Sequence, residues 1–170
     1  MTRRERVIAA LEFQKPDKVP FEMSFTKNMR KRMIDYAGKE NFEEDIDSHI
    51  AVTWLNKPLE EIRPEFFQDE YGVVWNRSGV DKDIGVVDKF LLEDAEDLSG
   101  LELPPVDEAF IGEQIESLLA SAGDRFRLVD FGFSLFERAW ILRGMENLLC
   151  DMIAEPEFVH ALLDRITDRN

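Results

Sequence analysis

The sequence predicts an α/β fold, on the evidence of two strand-to-helix transitions and one hairpin. Residues 126–147 run from an apolar strand through a glycine turn into a helix. Residues 19–37 run from an alternating apolar and polar segment into another helix. Residues 71–90 contain two β-rich runs around a polar turn, the pattern of a hairpin rather than of a parallel pair. Strands that alternate with helices are typical of α/β proteins.

The first predicted element is an N-terminal helix. Thr2 and Glu5 have the spacing of a capping box, in which each residue's side chain satisfies the other's backbone N–H. The helix is expected to end before Pro16. Its predicted apolar stripe consists of Val7, Ile8 and Leu11.

Residues 19–25 are predicted to form the first strand. Glu22 lies on the face opposite the apolar side chains of this segment. Thr26 is expected to cap the helix that follows, and Gly38 is expected to end it. A second, acidic helix is predicted near residues 43–50.

The middle of the chain carries the hairpin, with residues 78–83 as its turn. Residues 91–105 are acidic and end in Leu-Pro-Pro, so they are expected to form a surface connection. A helix is predicted over residues 107–122 and is ended by Gly123.

The strand near residues 126–131 places Asp130 close to its carboxyl end. Ser134 and Glu137 again have capping-box spacing, so Ser134 is expected to start the next helix. Arg138 lies on that helix, where Arg143 and Glu146 are an i,i+3 pair of opposite charge, and a salt bridge that ties this helix to a neighbour is expected. A last helix is predicted to run to about Thr167.

Composition predicts one globular domain over residues 1–170, since 44% of the residues are hydrophobic and 34% are charged. The formal charge of −15 disfavours binding to nucleic acid or to anionic membranes, because both need a positive field. The sequence shows no signal-peptide pattern and no apolar run long enough to span a bilayer, so a cytoplasmic location is expected. Cys150, the one cysteine, rules out an intrachain disulfide and is expected to be a buried apolar filler.

Three motifs give the chain a family resemblance. They are T-R-R-E-R-V at 2–7 followed by P-D-K-V-P at 16–20, D-E-Y-G-V-V-W at 69–75, and F-E-R-A-W-I-L-R-G-M-E-N at 136–147 followed by P-E-F-V at 156–159. In this order they resemble the uroporphyrinogen decarboxylase superfamily, and particularly its branch related to cobalamin-dependent methyltransferases. The resemblance implies a TIM-type (β/α)8 barrel.

A complete barrel of this type takes about 250 residues, so the 170 residues are expected to be its N-terminal half, with the N-terminal helix and the hairpin as additions. Three explanations stay open: a truncated chain, an interrupted gene, or a half-barrel that is completed by another chain. A homodimer or a complementary C-terminal half is therefore an expected partner, because uncovered strand edges and apolar faces drive association.

The resemblance implies two enzyme functions. The first is methyl transfer with a corrinoid cofactor or corrinoid protein, for which relatives use a zinc site whose His and Cys ligands belong to the later half of the barrel. The second is uroporphyrinogen III decarboxylation in porphyrin biosynthesis. The decarboxylases carry an R-x-x-G-R motif that this chain lacks, so their catalytic arginines are not transferred to it. A third alternative is a non-catalytic fragment or a self-associating interaction module.

Candidate site residues are those expected at the barrel mouth, where the loops after the strands lie. The catalytic candidates are Asp130 and Glu22, and the substrate-binding candidates are Lys27, Arg30, Ser134 and Arg138. His49 and His160 are too far apart and too few to predict a metal site, so no metal and no cofactor is expected for this chain alone. Without the second half, neither decarboxylation nor methyl transfer is expected of it.

Overall fold

The computed structural model describes residues 1–79 and 83–170 and shows a mixed α/β chain. Residues 80–82 of the predicted hairpin turn lie outside the described residues. The described strands form a two-stranded parallel sheet and a four-stranded antiparallel sheet, and they do not form a closed barrel. The chain divides into two compact units, Met1–Leu55 with Glu108–Asp130 and Asn56–Asp107 with Phe131–Asn170.

The described elements follow in chain order. They are α1 (Arg3–Leu11), α2 (Lys27–Ala37), a 3-10 helix (Phe42–Asp45), β1 (Ile50–Trp54), β2 (Glu60–Arg63), β3 (Phe66–Gln68), β4 (Val74–Asn76), β5 (Val86–Lys89), α3 (Glu108–Ser121), β6 (Phe126–Asp130), α4 (Phe136–Arg143), α5 (Met145–Ala154) and α6 (Pro156–Arg169).

The first unit is built on the parallel pair β1 and β6. The two strands run in register from Ile50 opposite Phe126 to Trp54 opposite Asp130. Helix α3 precedes β6 and packs on this sheet, where Ala51 of β1 forms a small buried core with Leu118 and Ala122. The predicted strand near 126–131 and the predicted helix over 107–122 are both confirmed.

The two predicted helix starts of the first unit are confirmed. The Thr2 hydroxyl accepts from the Glu5 N–H while the Glu5 carboxylate accepts from the Thr2 N–H at 2.8 Å, which completes the capping box. The Thr26 hydroxyl accepts from the Met29 N–H at 3.2 Å. Gly38 ends α2 with φ of 69°, a left-handed conformation that glycine adopts without steric cost. Leu11, expected on the apolar stripe of α1, is exposed.

Two other predictions for the first unit are wrong. Residues 19–25 form no strand, although the His49 N–H, directly before β1, donates to the Phe21 C=O at 2.9 Å. A strand requires a repeated ladder of such bonds, which alternation of side chains alone does not provide. The acidic helix near 43–50 is reduced to the 3-10 helix, and its last predicted residue, Ile50, begins β1.

The second unit contains the antiparallel sheet in the order β2-β3-β4-β5. The predicted hairpin is confirmed, since β4 and β5 pair antiparallel with Trp75 opposite Val87. Strands β2 and β3 were not predicted. The buried core of this unit is formed by the sheet, the connection after β5 and helices α4 to α6, and it consists of Val73, Trp75, Leu92, Leu98, Ala139, Ile141, Leu142, Leu148, Val159, Leu162 and Ile166.

The acidic connection over residues 91–105 is more than a surface loop. Leu92 and Leu98 are buried in the core of the second unit. Its backbone carbonyls accept from three arginines, Arg143 on α4 and both Arg165 and Arg169 on α6. The acidic composition of this segment predicted an exposed loop, but its charged residues lie between two leucines, Leu92 and Leu98, that the core buries.

The predicted helix after β6 differs from the structure in two ways. Ser134 does not cap it: α4 begins after Leu135, and no side chain makes a cap hydrogen bond. The helix then breaks at Gly144, whose φ of 89° is incompatible with helical continuation. Because of this break, Arg143 pairs with Asp151 of α5 at 2.6 Å rather than with Glu146.

The expected burial of Cys150 is also wrong. The thiol lies on an exposed face of α5. Its apolar neighbours in sequence do not bury it, because Leu148 occupies the buried face of the helix and residue 150 lies on another side.

Candidate functional site

The carboxyl ends of β1 and β6 form the candidate site of the first unit. Alternation along each strand puts Trp54 and Asp130 on the face opposite Ala51, which packs against α3. Val52 and Leu128 lie on the same face as Trp54 and Asp130, one step closer to the amino ends. We call these four residues the carboxyl-end surface.

The amino ends of the same two strands are covered. The Arg4 N–H of α1 donates to the carbonyl of Asp124, which precedes β6, at 3.0 Å. Arg6 Nη1 lies 3.5 Å from Nε2 of the fully buried His49, which precedes β1. The Phe21 N–H donates to His49 Nδ1 at 3.4 Å. Helix α1 therefore closes one end of the parallel pair, and His49 has a structural position there.

The carboxyl-end surface combines an aromatic ring with a carboxylate. Trp54 is 57% exposed, so a large part of its indole ring is accessible to a ligand. Asp130 is half-buried. The Leu55 N–H donates to the Asp130 carbonyl at 2.8 Å, so pairing of the two strands continues to this end. A ring beside a carboxylate suits a ligand that carries an apolar surface and hydrogen-bond donors.

Comparison with protein-family models, curated proteins and solved structures found no match.

The other candidates of the first unit have different settings. Glu22 is exposed in the extended segment before α2, and Lys27 is the first residue of α2. Arg30 donates from Nε to Glu43 Oε1 at 2.7 Å and from Nη2 to the Glu40 carbonyl at 2.8 Å. These bonds tie Arg30 to the segment that follows α2, so a substrate carboxylate would compete with an existing ion pair.

The remaining two candidates, Ser134 and Arg138, belong to the second unit. The Ser134 carbonyl accepts from Asn170 Nδ2 at 2.8 Å. Arg138 Nη1 donates to Asp69 Oδ2 at 2.9 Å, and only 3% of the Arg138 side chain is exposed. The six candidates therefore divide four to two between the units.

Arg138 and Asp69 organise the segment between β3 and β4. Asp69 Oδ1 accepts from the N–H groups of Tyr71 and Val73 at 3.0 and 2.9 Å. The Arg138 guanidinium lies 3.7 Å from the centroid of the Tyr71 ring, a cation–π contact. Burial raises the pKa of the Tyr71 phenol, because it disfavours the charged phenolate. These contacts explain the D-E-Y-G motif structurally: its Asp receives the arginine of α4.

The Arg138 side chain is held tightly but not completely satisfied. Its Nε is buried and has no hydrogen-bond partner among the described residues. The loop before α4 packs against the same cluster, since the Phe133 ring stacks on Trp75 with centroids 5.7 Å apart. Phe133 has φ of 53°, a left-handed conformation that costs a bulky residue energy and that the stacking holds in place.

The described residues include no group of three or more His, Cys, Asp or Glu side chains that could hold a metal ion. His160 is exposed on α6, as a helix-surface role predicts.

A cavity of about 340 Å³ in the first unit is lined by charged residues of α1 and of the 3-10 helix, with Arg125 after α3. Within the described parts of the chain, none of the helices has the length and apolar character needed to cross a bilayer.

Sequence reasoning identified Asp130 but missed Trp54. Asp130 was recognisable because an acidic residue closed an apolar run before a glycine turn. Trp54 was missed because β1 was not predicted. The signal was present in Ile50–Trp54, a short run rich in β-branched residues directly after the acidic segment.

Proposed function

We propose that this chain contributes part of a uroporphyrinogen-decarboxylase-like barrel that acts in corrinoid-dependent methyl transfer. The observation that carries the proposal is the carboxyl-end surface. It joins Trp54 and Asp130 at the carboxyl ends of adjacent parallel strands, where barrel enzymes place their chemistry.

The arrangement of the first unit supports the part of the proposal that concerns the barrel fold. The connection between these two adjacent parallel strands ends in α3, which packs on one of their faces as the helix of a barrel repeat does. Before it reaches α3, the same connection forms strands β2 to β5 of the antiparallel sheet. Residues 19–25, which precede β1, contact its start through the bond between His49 and Phe21. Helix α1 covers the amino ends, which leaves the carboxyl ends for a ligand.

Charge favours a corrinoid over a tetrapyrrole polycarboxylate as the ligand. A polycarboxylate needs cations to replace its hydration. The four residues of the carboxyl-end surface include the acidic Asp130 and no cation, and Arg30 is paired with Glu43. A corrinoid is rimmed largely by neutral amides, which can donate to a carboxylate while the macrocycle lies on an aromatic ring. The chain's net charge of −15 also disfavours a polycarboxylate ligand, because the two would repel each other.

In the cobalamin-dependent methyltransferases that the chain resembles, a bound zinc ion activates a thiol for methyl transfer. The described residues supply no ligand set for that ion, so zinc would have to be held by residues outside this set. The role proposed for this part of the chain is therefore to bind and orient a corrinoid, alone or carried by a corrinoid protein.

Calorimetric titration of the full chain with hydroxocobalamin, and separately with uroporphyrin III, tests the proposal without requiring turnover. We expect saturable binding of the corrinoid and weaker binding of the porphyrin. Trp54→Ala is expected to weaken corrinoid binding about tenfold, the change that loss of one stacked aromatic contact produces. Tyr36→Ala is the matched control, because Tyr36 is an exposed aromatic residue of α2.

Other outcomes would replace the proposal. Preferential binding of uroporphyrin III would favour the decarboxylase alternative. Binding of neither compound would favour a non-catalytic interaction module. Equal losses in Trp54→Ala and Tyr36→Ala would show that the carboxyl-end surface is not the binding site.

A further inference from the structure

Helix α5 has an exposed apolar face in addition to its buried one. Leu148 is fully buried in the core of the second unit. Other apolar side chains of the same helix face solvent, and Ile153 is 87% exposed. We call this set the exposed stripe of α5; it consists of Met145, Leu149, Met152 and Ile153.

The spacing of these residues makes them one continuous surface. They follow one another at intervals of four, three and one residues, which on an α-helix puts them within a sector of roughly 100°. That width is the width with which a helix packs on a neighbour. Single exposed apolar residues are ordinary, but a continuous row of four marks an interaction surface.

The charges near the exposed stripe are negative. Helix α5 carries Glu146 and Asp151 and no lysine or arginine. Asp151 is buried and paired with Arg143. Glu146 lies beside the stripe, and Glu155 and Glu157 follow the end of the helix; all three are exposed.

The arginines of the neighbouring helices make their hydrogen bonds to other groups within the second unit, and none is described as pairing with these three carboxylates. Arg138 binds Asp69, and Arg143 binds Asp151 together with carbonyls of the 91–105 connection. The two arginines of α6 also bind backbone carbonyls: Arg165 binds those of Leu98 and Leu101, and Arg169 binds that of Pro104.

From this arrangement we propose that the exposed stripe of α5 binds a cationic amphipathic helix of a partner protein. The apolar side chains of the partner helix would cover the two methionines, the leucine and the isoleucine of the stripe. The lysines or arginines of the partner helix would pair with the flanking carboxylates. Methionine suits such a surface, because its flexible side chain adapts to the partner. A second copy of this chain is a poorer occupant, because each copy carries a charge of −15.

The test uses the full chain and a fluorescent synthetic helix of about five turns, with leucine on one face and lysine on the other. A peptide of the same pattern with glutamate in place of lysine is the charge control. Fluorescence anisotropy measures both affinities. We expect the lysine peptide to bind at least tenfold more tightly than the glutamate peptide. Its affinity should fall as the salt concentration is raised.

Protein variants locate the binding. Ile153→Ser is expected to lower the affinity for the lysine peptide about tenfold, which is the loss expected for one fully buried aliphatic side chain. Leu119→Ser is the matched control, since Leu119 is an exposed apolar residue of α3, and it should bind as wild type. Circular dichroism verifies that both variants are folded. Cys150, the exposed single cysteine of α5, provides a second readout, because bound peptide should slow its alkylation.

Three results would overturn the proposal. One is equal affinity for the lysine and glutamate peptides. Another is an equal loss of binding in Ile153→Ser and Leu119→Ser, which would indicate general attraction of a basic peptide to an acidic protein. The third is a dimer in sedimentation that Ile153→Ser dissociates, since that would assign the exposed stripe to a second copy of the chain.

Discussion

Arg138 of α4 and Asp69, between β3 and β4, form an ion pair of 2.9 Å in which 3% and 9% of the two side chains are exposed. Removing one partner of a buried pair leaves the other charge without compensation, which costs about 3–5 kcal/mol. We expect Arg138→Met to lower the free energy of unfolding by that amount, measured by urea denaturation. Arg63→Met, which removes the exposed pair with Asp88, should cost less than about 1 kcal/mol.

The Asp69→Asn/Arg138→Met double variant provides the control for this mechanism. Because it removes both charges, it should recover part of the stability that Arg138→Met loses. A double variant that is as unstable as the sum of the two single variants would indicate that packing, and not the ion pair, accounts for the loss.

The helix caps provide a second prediction. Thr26→Ala should lower the free energy of unfolding by about 1 kcal/mol, because the Thr26 hydroxyl accepts from the Met29 N–H. Ser134→Ala should leave stability nearly unchanged, since no side chain caps α4. Chemical denaturation of the two variants compares them directly. A larger loss for Ser134→Ala than for Thr26→Ala would contradict the observed start of α4.

Gly144, between α4 and α5, provides a third prediction. Its φ is 89°, and a Cβ there would lie 3.4 Å from Cδ2 of Phe90. Gly144→Ala should therefore cost about 1–3 kcal/mol, mostly through backbone strain. Gly112→Ala is the control, because a Cβ at Gly112 within α3 meets no atom within 4 Å and alanine favours a helix. Thermal unfolding should show opposite shifts in Tm for the two variants.

Acid sensitivity provides a fourth prediction. Hydrogen bonds from Arg6 hold the pKa of the Asp17 carboxyl well below its usual range. A carboxyl with a lower pKa in the folded state adds stability above its unfolded-state pKa, and that contribution is lost as the pH falls through the folded-state value. Asp17→Asn should therefore be less stable than wild type at neutral pH, with the difference shrinking in acid. Denaturation at a series of pH values measures it, and a constant difference would contradict the assignment.

Local signals in the sequence determined most of the helices and their limits. Thr2, Thr26 and Gly38 act through backbone groups within a few residues, so the spacing of residue types was sufficient to place them. The apolar run ending at Asp130 and the two β-rich runs of the β4–β5 hairpin were also predictable, because each is a local pattern of residue types.

Only the tertiary structure decided that β1 pairs with β6 and which groups are buried. Residues 19–25 alternate as a strand does, yet β1 is the strand that pairs with β6, because a ladder depends on a partner that is distant in sequence. Ser134 has capping-box spacing, but the left-handed backbone of Phe133, held by stacking on Trp75, precedes a helix that begins after Leu135. The partner of Arg138 lies 69 residues away, and the register of β1 and β6 puts Trp54 opposite Asp130. These relationships connect residues far apart in the chain, so local residue patterns do not determine them.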